Sequence, residues 1–358
     1  MTPSDSTWTS AVGGRVVTWL RTANELGRRL ARPLRGPAAR IRERMLSRRA
    51  TRRSGWRVVA EKEFADHITS IRFLVLLVVI GLACLAAVVS AASFLRESAT
   101  EASDATSVFL LLFTQSPEQI PSFVALIGFL GPLLGIAFGF DAVNQERSDR
   151  TLPRLVSQPI HRDDIVNGKF VAGLAVIGLT LVALVALTAG VGIVRMGITP
   201  SAGDVARLLL YLVVALVYMG LWLAFALLCS VLLRRPATAA LVAIAAWLVF
   251  TLFGTFLASL AADAFSGEGQ IAQARTEYSL SLVSPSTLYE NSSAALLNPE
   301  VRSVGLLLPQ DLERAVPGPL SLDQSLLVVW PQVTALVAAS VVMFTLGYVA
   351  FLRQEVRA

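Results

Sequence analysis

Charge is scarce in this chain, and cysteine, histidine and lysine are scarcer still. Only 16% of its 358 residues are Asp, Glu, Lys or Arg, where a soluble domain has about a quarter. Lys62 and Lys169 are the only lysines, although Lys and Arg together number 31. The two cysteines, Cys84 and Cys229, both fall inside apolar runs, which argues against a disulfide framework and leaves the redox compartment unread. His67 and His161 stand far apart, with no cysteine or carboxylate at metal-ligand spacing, and a lone loop histidine such as His161 reads as solvated. No phosphate-binding loop is present: Gly168-Lys169 lacks the preceding glycine and is followed by Phe170. With no nucleophile–base pair and no metal cluster, an intramembrane enzyme is disfavoured, and no nucleic-acid module occurs.

Apolar residues, by contrast, make up 54% of the chain, and the mean hydropathy is +0.64. Six stretches are long enough to cross about 30 Å of hydrocarbon as helices: 73–94, 120–140, 170–194, 208–233, 237–262 and 326–352. Their interiors hold no Asp, Glu, Lys, Arg or His. Ion-driven transporters need such groups, or broken helices, near the midplane. Gln332, Tyr211 and Tyr218 are the most polar side chains within the spans, and they read as helix-packing residues. Pro331 and Gly131-Pro132 read as packing kinks. The bundle therefore has no proton relay, and any uphill movement must draw its energy from outside this chain.

Arginine and lysine set the expected orientation. With the N-terminus in the cytoplasm, 25 of the 31 basic residues lie inside and 6 outside. The expectation is thus an all-α polytopic membrane protein with six transmembrane helices and both termini cytoplasmic, at the cell membrane. Residues 1–54 form an Arg-rich tail, disordered or loosely bound to the membrane surface, where anionic lipid attracts each arginine by ~1 kcal/mol. Arg48-Arg49 and Arg52-Arg53 do not make an export signal, because the apolar run that follows is of full span length without a small-residue cleavage site. The remainder, 55–358, opens with an amphipathic interfacial helix. Trp56, Val59, Phe64 and Ile68 share its apolar face, with Glu61, Lys62 and Asp66 on another. Between the fifth and sixth spans lies an external segment, 263–325, interrupted by five prolines. Tyr278-Ser-Leu-Ser-Leu-Val and Val304-Gly-Leu-Leu-Leu-Pro are candidate short helices against the outer face.

Residues 141–169 are the most informative stretch. They are densely charged, with both signs mixed, between two uncharged runs. A charge at the bilayer centre costs about 2.5–3.5 kcal/mol or more, so this segment lies in water. The pattern suggests two short helical pieces hinged at Pro159, the first over Glu146 to Val156 and the second opening at Arg162-Asp163-Asp164. A solvated connector and a protein-docking surface both fit the charge pattern alone.

The order of residues here resembles the first cytoplasmic loop of type-2 ABC-transporter permeases, particularly the branch that includes the nitrous-oxide-reductase maturation permease. The matching positions are Phe140-Asp141, Glu146-Arg147, Thr151-Leu152, Leu155-Val156, Gln158-Pro159-Ile160, Arg162 and Gly168-Lys169. Arg150 stands where the family usually has glycine. Ser284-Pro285-Ser-Thr-Leu-Tyr289 is similar to the Ser-Pro-x-x-x-aromatic piece of the family's external segment. The first 54 residues lie outside the resemblance.

The resemblance implies an exporting transmembrane subunit that pairs with a second copy or a paralogue. Each half would dock on a separate ABC ATPase subunit, which would hold ATP and Mg, and this chain itself would bind no cofactor. The 141–169 loop would be the ATPase-coupling element, including Asp141 and Gly168. Glu146, Arg147 and Arg150 would offer polar contacts, Thr151 would precede the apolar anchors Leu152 and Leu155, and Pro159 would fix the bend. Arg162 and Lys169 would hold the loop against lipid headgroups or neighbouring carboxylates. The competing class is a non-transporting scaffold or assembly factor whose external segment binds an extracytoplasmic partner. An adjacent gene for a P-loop ATPase without spans favours the permease.

Overall fold

Serine hydroxyls open five of the helices. In a computed structural model that describes residues 55–97, 107–115, 120–148, 161–265, 269–301 and 319–354, all regular structure is helical. Helix α1 (Gly55–Thr69) stops at Ser70, whose hydroxyl donates to the His67 carbonyl at 2.8 Å and accepts the Phe73 N–H at 3.2 Å. One residue thereby closes α1 and caps α2 (Ile71–Glu97). Ser107 and Ser122 cap α3 (Val108–Thr114) and α4 (Phe123–Gly139) in the same way. A turn then leads to α5 (Asn144–Ser148).

Helix α6 (Arg162–Met196) carries Asp163 and Asp164 in its first turn, which suits the helix dipole, and ends at Gly197. Gly197 has φ 69°, the left-handed geometry that glycine adopts without a Cβ penalty. Ser201 and Asp204 form a reciprocal capping box for α7 (Ala202–Leu232), and Ser321 and Gln324 another for α12 (Leu322–Arg353). Between these two lie α8 (Pro236–Leu252), α9 (Gly254–Phe265), α10 (Gln270–Ser281) and α11 (Pro285–Leu297). Pro236 takes the first turn of α8, as expected, and Pro132 and Pro331 remain inside continuous helices.

Among the described residues, five helices are long and apolar enough to cross a membrane, and a sixth if α8 and α9 count as one span. That pair is the main departure from the sequence reading. The apolar run 237–262 is not one straight helix but bends by 62° at Phe253. A second departure concerns the long connection to the last span. Its helix α11 does not lie on a surface: Leu288, Tyr289, Ala295, Leu296 and Leu297 are buried in the main core. The candidate helix at Tyr278 lies within α10, whereas Val304 to Pro309 fall outside the described residues.

Helix α7 is the central post, with α4, α6, α11 and α12 packed around it. Gly131, Gly135 and Gly139 fall on one stripe of α4, the spacing that lets two helix backbones approach. A Cβ on Gly135 would sit 2.6 Å from the Met219 carbonyl oxygen and 2.9 Å from the Leu223 nitrogen. On Gly139 it would lie 2.8 Å from the Leu223 oxygen. Those neighbours are backbone and cannot swing aside, so Gly135→Leu must push α4 off α7 at a cost of about 1–3 kcal/mol or more. The expected result is a lower melting temperature in detergent. Gly190→Leu, where nothing lies within 4 Å, should leave it unchanged.

Candidate functional site

Gly168 and Lys169, adjacent in sequence, build the junction at one end of the bundle. Helix α1 crosses α6 at Gly168 so closely that a Cβ there would meet the Val59 side chain at 2.6 Å and the Trp56 carbonyl at 2.8 Å. That approach brings Glu63 of α1, one turn beyond Val59, onto the next residue of α6. The Lys169 ammonium is only 5% exposed and lies 2.9 Å from Glu63 Oε1 and 2.8 Å from Glu146 Oε1. One buried cation thus joins α1, α5 and α6. Lys62 extends the network, 3.0 Å from both Glu63 and Asp66.

Burial opposes charging Glu63, but Lys169, by charge and hydrogen bond, and then Lys62 outweigh it and hold its pKa below the ordinary 4.5. His67 lies against the Phe138 ring at 4.7 Å, and burial is the main reason that its pKa is pulled below the usual histidine value. Asp141, where α4 ends, pairs with Arg72 of α2, whose guanidinium also lies over the Phe140 ring. These groups line a cleft of about 640 Å³, with Lys62, Asp66, Arg72, Asp141 and Glu146 among its walls.

The start of α5 is fixed from α7. The Ser230 hydroxyl accepts the N–H groups of Val143 and Asn144 at 3.1 and 3.2 Å. Arg147 donates to the Val231 carbonyl at 3.3 Å and to the Gln354 side chain. Arg162 reaches the Gln354 carbonyl at 3.2 Å. An apolar cluster of Val143, Ile165, Val166, Leu227, Val231 and Phe351 lies beneath.

Of the residues singled out in the 141–169 segment, the structure brings Asp141, Glu146, Arg147, Arg162, Gly168 and Lys169 to one end of the bundle. Arg150, Thr151, Leu152, Leu155 and Pro159 lie outside the described residues. Glu63, Arg72, Ser230 and Gln354 were not anticipated. Glu63 had a signal, since it follows Val59 by four residues and so shares its face. The apolar face expected for α1 is only partly the buried one: Val59 is buried, whereas Ile68 is exposed. Tyr211, Tyr218 and Gln332 are buried among helices, and the Tyr218 hydroxyl donates to the Gly128 carbonyl at 2.9 Å. Among the described residues, no group of three or more His, Cys, Asp or Glu side chains could hold a metal ion.

Removing one partner of a buried ion pair leaves an uncompensated charge, which costs about 3–5 kcal/mol. Lys169→Met should therefore lower thermal stability strongly, and Lys169→Met combined with Glu63→Gln should be less damaging than the sum of the two. Because Glu63's pKa is depressed on folding, its contribution is present above pH 4.5 and is lost as pH falls below that through the folded value. Melting temperatures of wild type and Glu63→Gln should accordingly converge on acidification.

Comparison with known proteins identifies the setting of this junction. The family model described as ABC-2 family transporter protein matches residues 57–356. The chain is also similar to the protein named "Probable ABC transporter permease protein NosY" of Stutzerimonas stutzeri, with 30% identity over 146 residues. That alignment covers 39% of this chain and 51% of the relative, so the chain spans about half the length of the curated protein it matches. The resemblance read from the loop residues points to the same family. The chain belongs to the ABC-2 transporter family as a permease, a multi-pass membrane subunit of an ABC transporter, in a family whose membrane subunits lack ATPase activity and work with ATPase subunits.

Proposed function

We propose that residues 141–169 form the coupling loop through which a separate ATPase subunit drives this permease. The observation that carries the reading is the Lys169 junction. Force applied to the loop is passed by Glu146 and Lys169 to α6 and by Glu63 to α1, with no ionised group needed in the middle of the bundle. The distribution of basic residues supports a cytoplasmic position for this loop and for both termini. The permease works beside a second copy or a paralogue, and its substrate is a hydrophobic or amphipathic compound moved outward.

Glu146 and Arg147 turn to internal partners, so we give them the task of holding the loop. Contact with the ATPase falls to Arg150, Leu152 and Leu155. Charge reversal with loss of the anchor, Arg150→Glu plus Leu152→Asp, should reduce co-purification with the ATPase at least ~10-fold, as expected for loss of a buried apolar anchor and a charged contact. Membrane insertion and melting temperature should stay as in wild type. A complex of unchanged stoichiometry and ATP turnover overturns the assignment.

A further inference from the structure

The loop is continuous in sequence with α4 and α6 alone, yet its strongest side-chain ties at this end also run to two other helices. Gln354, immediately after α12, receives both flanks of the loop. Its side-chain oxygen accepts from Arg147 on the N-terminal side of the loop, and its main-chain oxygen accepts from Arg162 on the C-terminal side, at 3.2 Å. Its amide nitrogen donates at 2.7 Å to the Val231 carbonyl, the same oxygen that Arg147 also reaches. Three hydrogen bonds thus meet at one residue and join α5, α6, α7 and α12. We propose that Gln354 is a positioning residue that carries movement of the coupling loop to α12 and α7, an inference that rests on the coupling role given to this loop above.

Elsewhere along its length α12 packs on α7, with the Ser340 hydroxyl donating to the Val217 carbonyl at 3.4 Å, but near the loop its other ties are apolar. Only 17% of the most apolar window of α12 is buried, against 67% for α7. Near the loop end, Gly347 and Phe351 are its buried residues. Apolar contact is non-directional and lets helices slide, whereas hydrogen bonds from two guanidinium groups fix position and are stronger than neutral ones. Phe351 keeps α12 near the loop, and Gln354 makes it follow.

The test uses the full permease assembled with its ATPase in lipid nanodiscs. Spin labels are placed on introduced cysteines, the native Cys84 and Cys229 being buried. One pair, at Val78 on α2 and Leu346 on α12, reports α12; both positions are about half exposed. A second pair, at Val78 and Ser148, reports the loop. Distances are compared without nucleotide and after trapping with ATP, Mg and vanadate. In wild type both pairs should respond. In Gln354→Ala the loop pair should respond fully, while the α12 response falls at least ~3-fold, as loss of a hydrogen bond to a charged group implies. Gln354→Glu, which keeps the acceptor for Arg147, should restore it. Gln354→Ala with Arg162→Ala should abolish it. A merely structural role predicts a lower melting temperature with both responses kept, and an undiminished α12 response in a folded, assembled Gln354→Ala complex overturns the inference alone. If neither pair responds in wild type, the coupling reading fails and takes this inference with it.

Discussion

An ammonium group held almost out of water between two carboxylates is the constraint on which this end of the protein depends. Each of the three charges is too costly to bury alone; the ammonium is tolerated because both carboxylates face it, and each carboxylate because the ammonium lies against it. The three come from separate elements: the helix before the first span, the short helix after the second, and the start of the third. None of those elements can move far without exposing a lone charge to a poorly hydrated site. Gly168 makes the arrangement possible, since any side chain there would hold α1 away and take Glu63 out of reach of Lys169. The amphipathic helix expected before the first span is clamped against the beginning of α6.

The middle of the bundle is organised differently. Its polar groups are neutral, and its buried tyrosines are paired locally, as low dielectric favours. The hydroxyls of Tyr211 and Tyr289 lie 2.8 Å apart, and Tyr289 reaches the Val124 carbonyl at 3.1 Å. The rings of Tyr218 and Tyr289 stack at 4.6 Å. At the opposite end from Lys169, the buried Arg207 side chain donates to the carbonyls of Leu296 and Leu320 and to the Ser325 hydroxyl. Directional bonds are therefore concentrated at the two ends, with a central region held by shape. Such a bundle can tilt as a body from one end without breaking a charge pair at its centre.

Much of this was legible in the sequence because hydropathy and charge act over long stretches. Five of the six spans and the proline at the start of α8 followed from composition and order, whereas Gly168-Lys169 stood out only through the family resemblance. Glu63 was only half legible: it shares the face of Val59, but in a helix carrying Glu61, Lys62, Glu63 and Asp66 the choice of buried acid depends on how α1 crosses α6. Gln354 follows the last span and carries no charge, so no pattern marks it. The glycine stripe of α4 was visible, yet Gly131-Pro132 drew attention as a kink while the spacing to Gly135 and Gly139 recorded the helix contact.

The break in the fifth span shows most clearly what a hydropathy pattern cannot hold. Residues on both sides of Phe253 are apolar enough to read as one run, and only Gly254 marks the bend. Helix α8 has 17 residues and rises about 26 Å, short of the ~30 Å hydrocarbon core. Bending there frees backbone groups that must find partners, since irregular backbone within a membrane survives only where protein covers it. The hydroxyls of Ser284 and Ser286 supply them, donating to the Phe250 carbonyl at 2.9 and 3.2 Å. Pro285 then starts α11, and Tyr289, one turn on, enters the core against Gly128, where a Cβ would meet its ring at 2.8 Å. The Ser-Pro-x-x-x-Tyr piece, which in the sequence looks like part of an exposed segment, is thus the element that makes a broken span tolerable. Cap, turn and wedge stand within residues 284–289 because each completes the backbone or fills the space left by the one before.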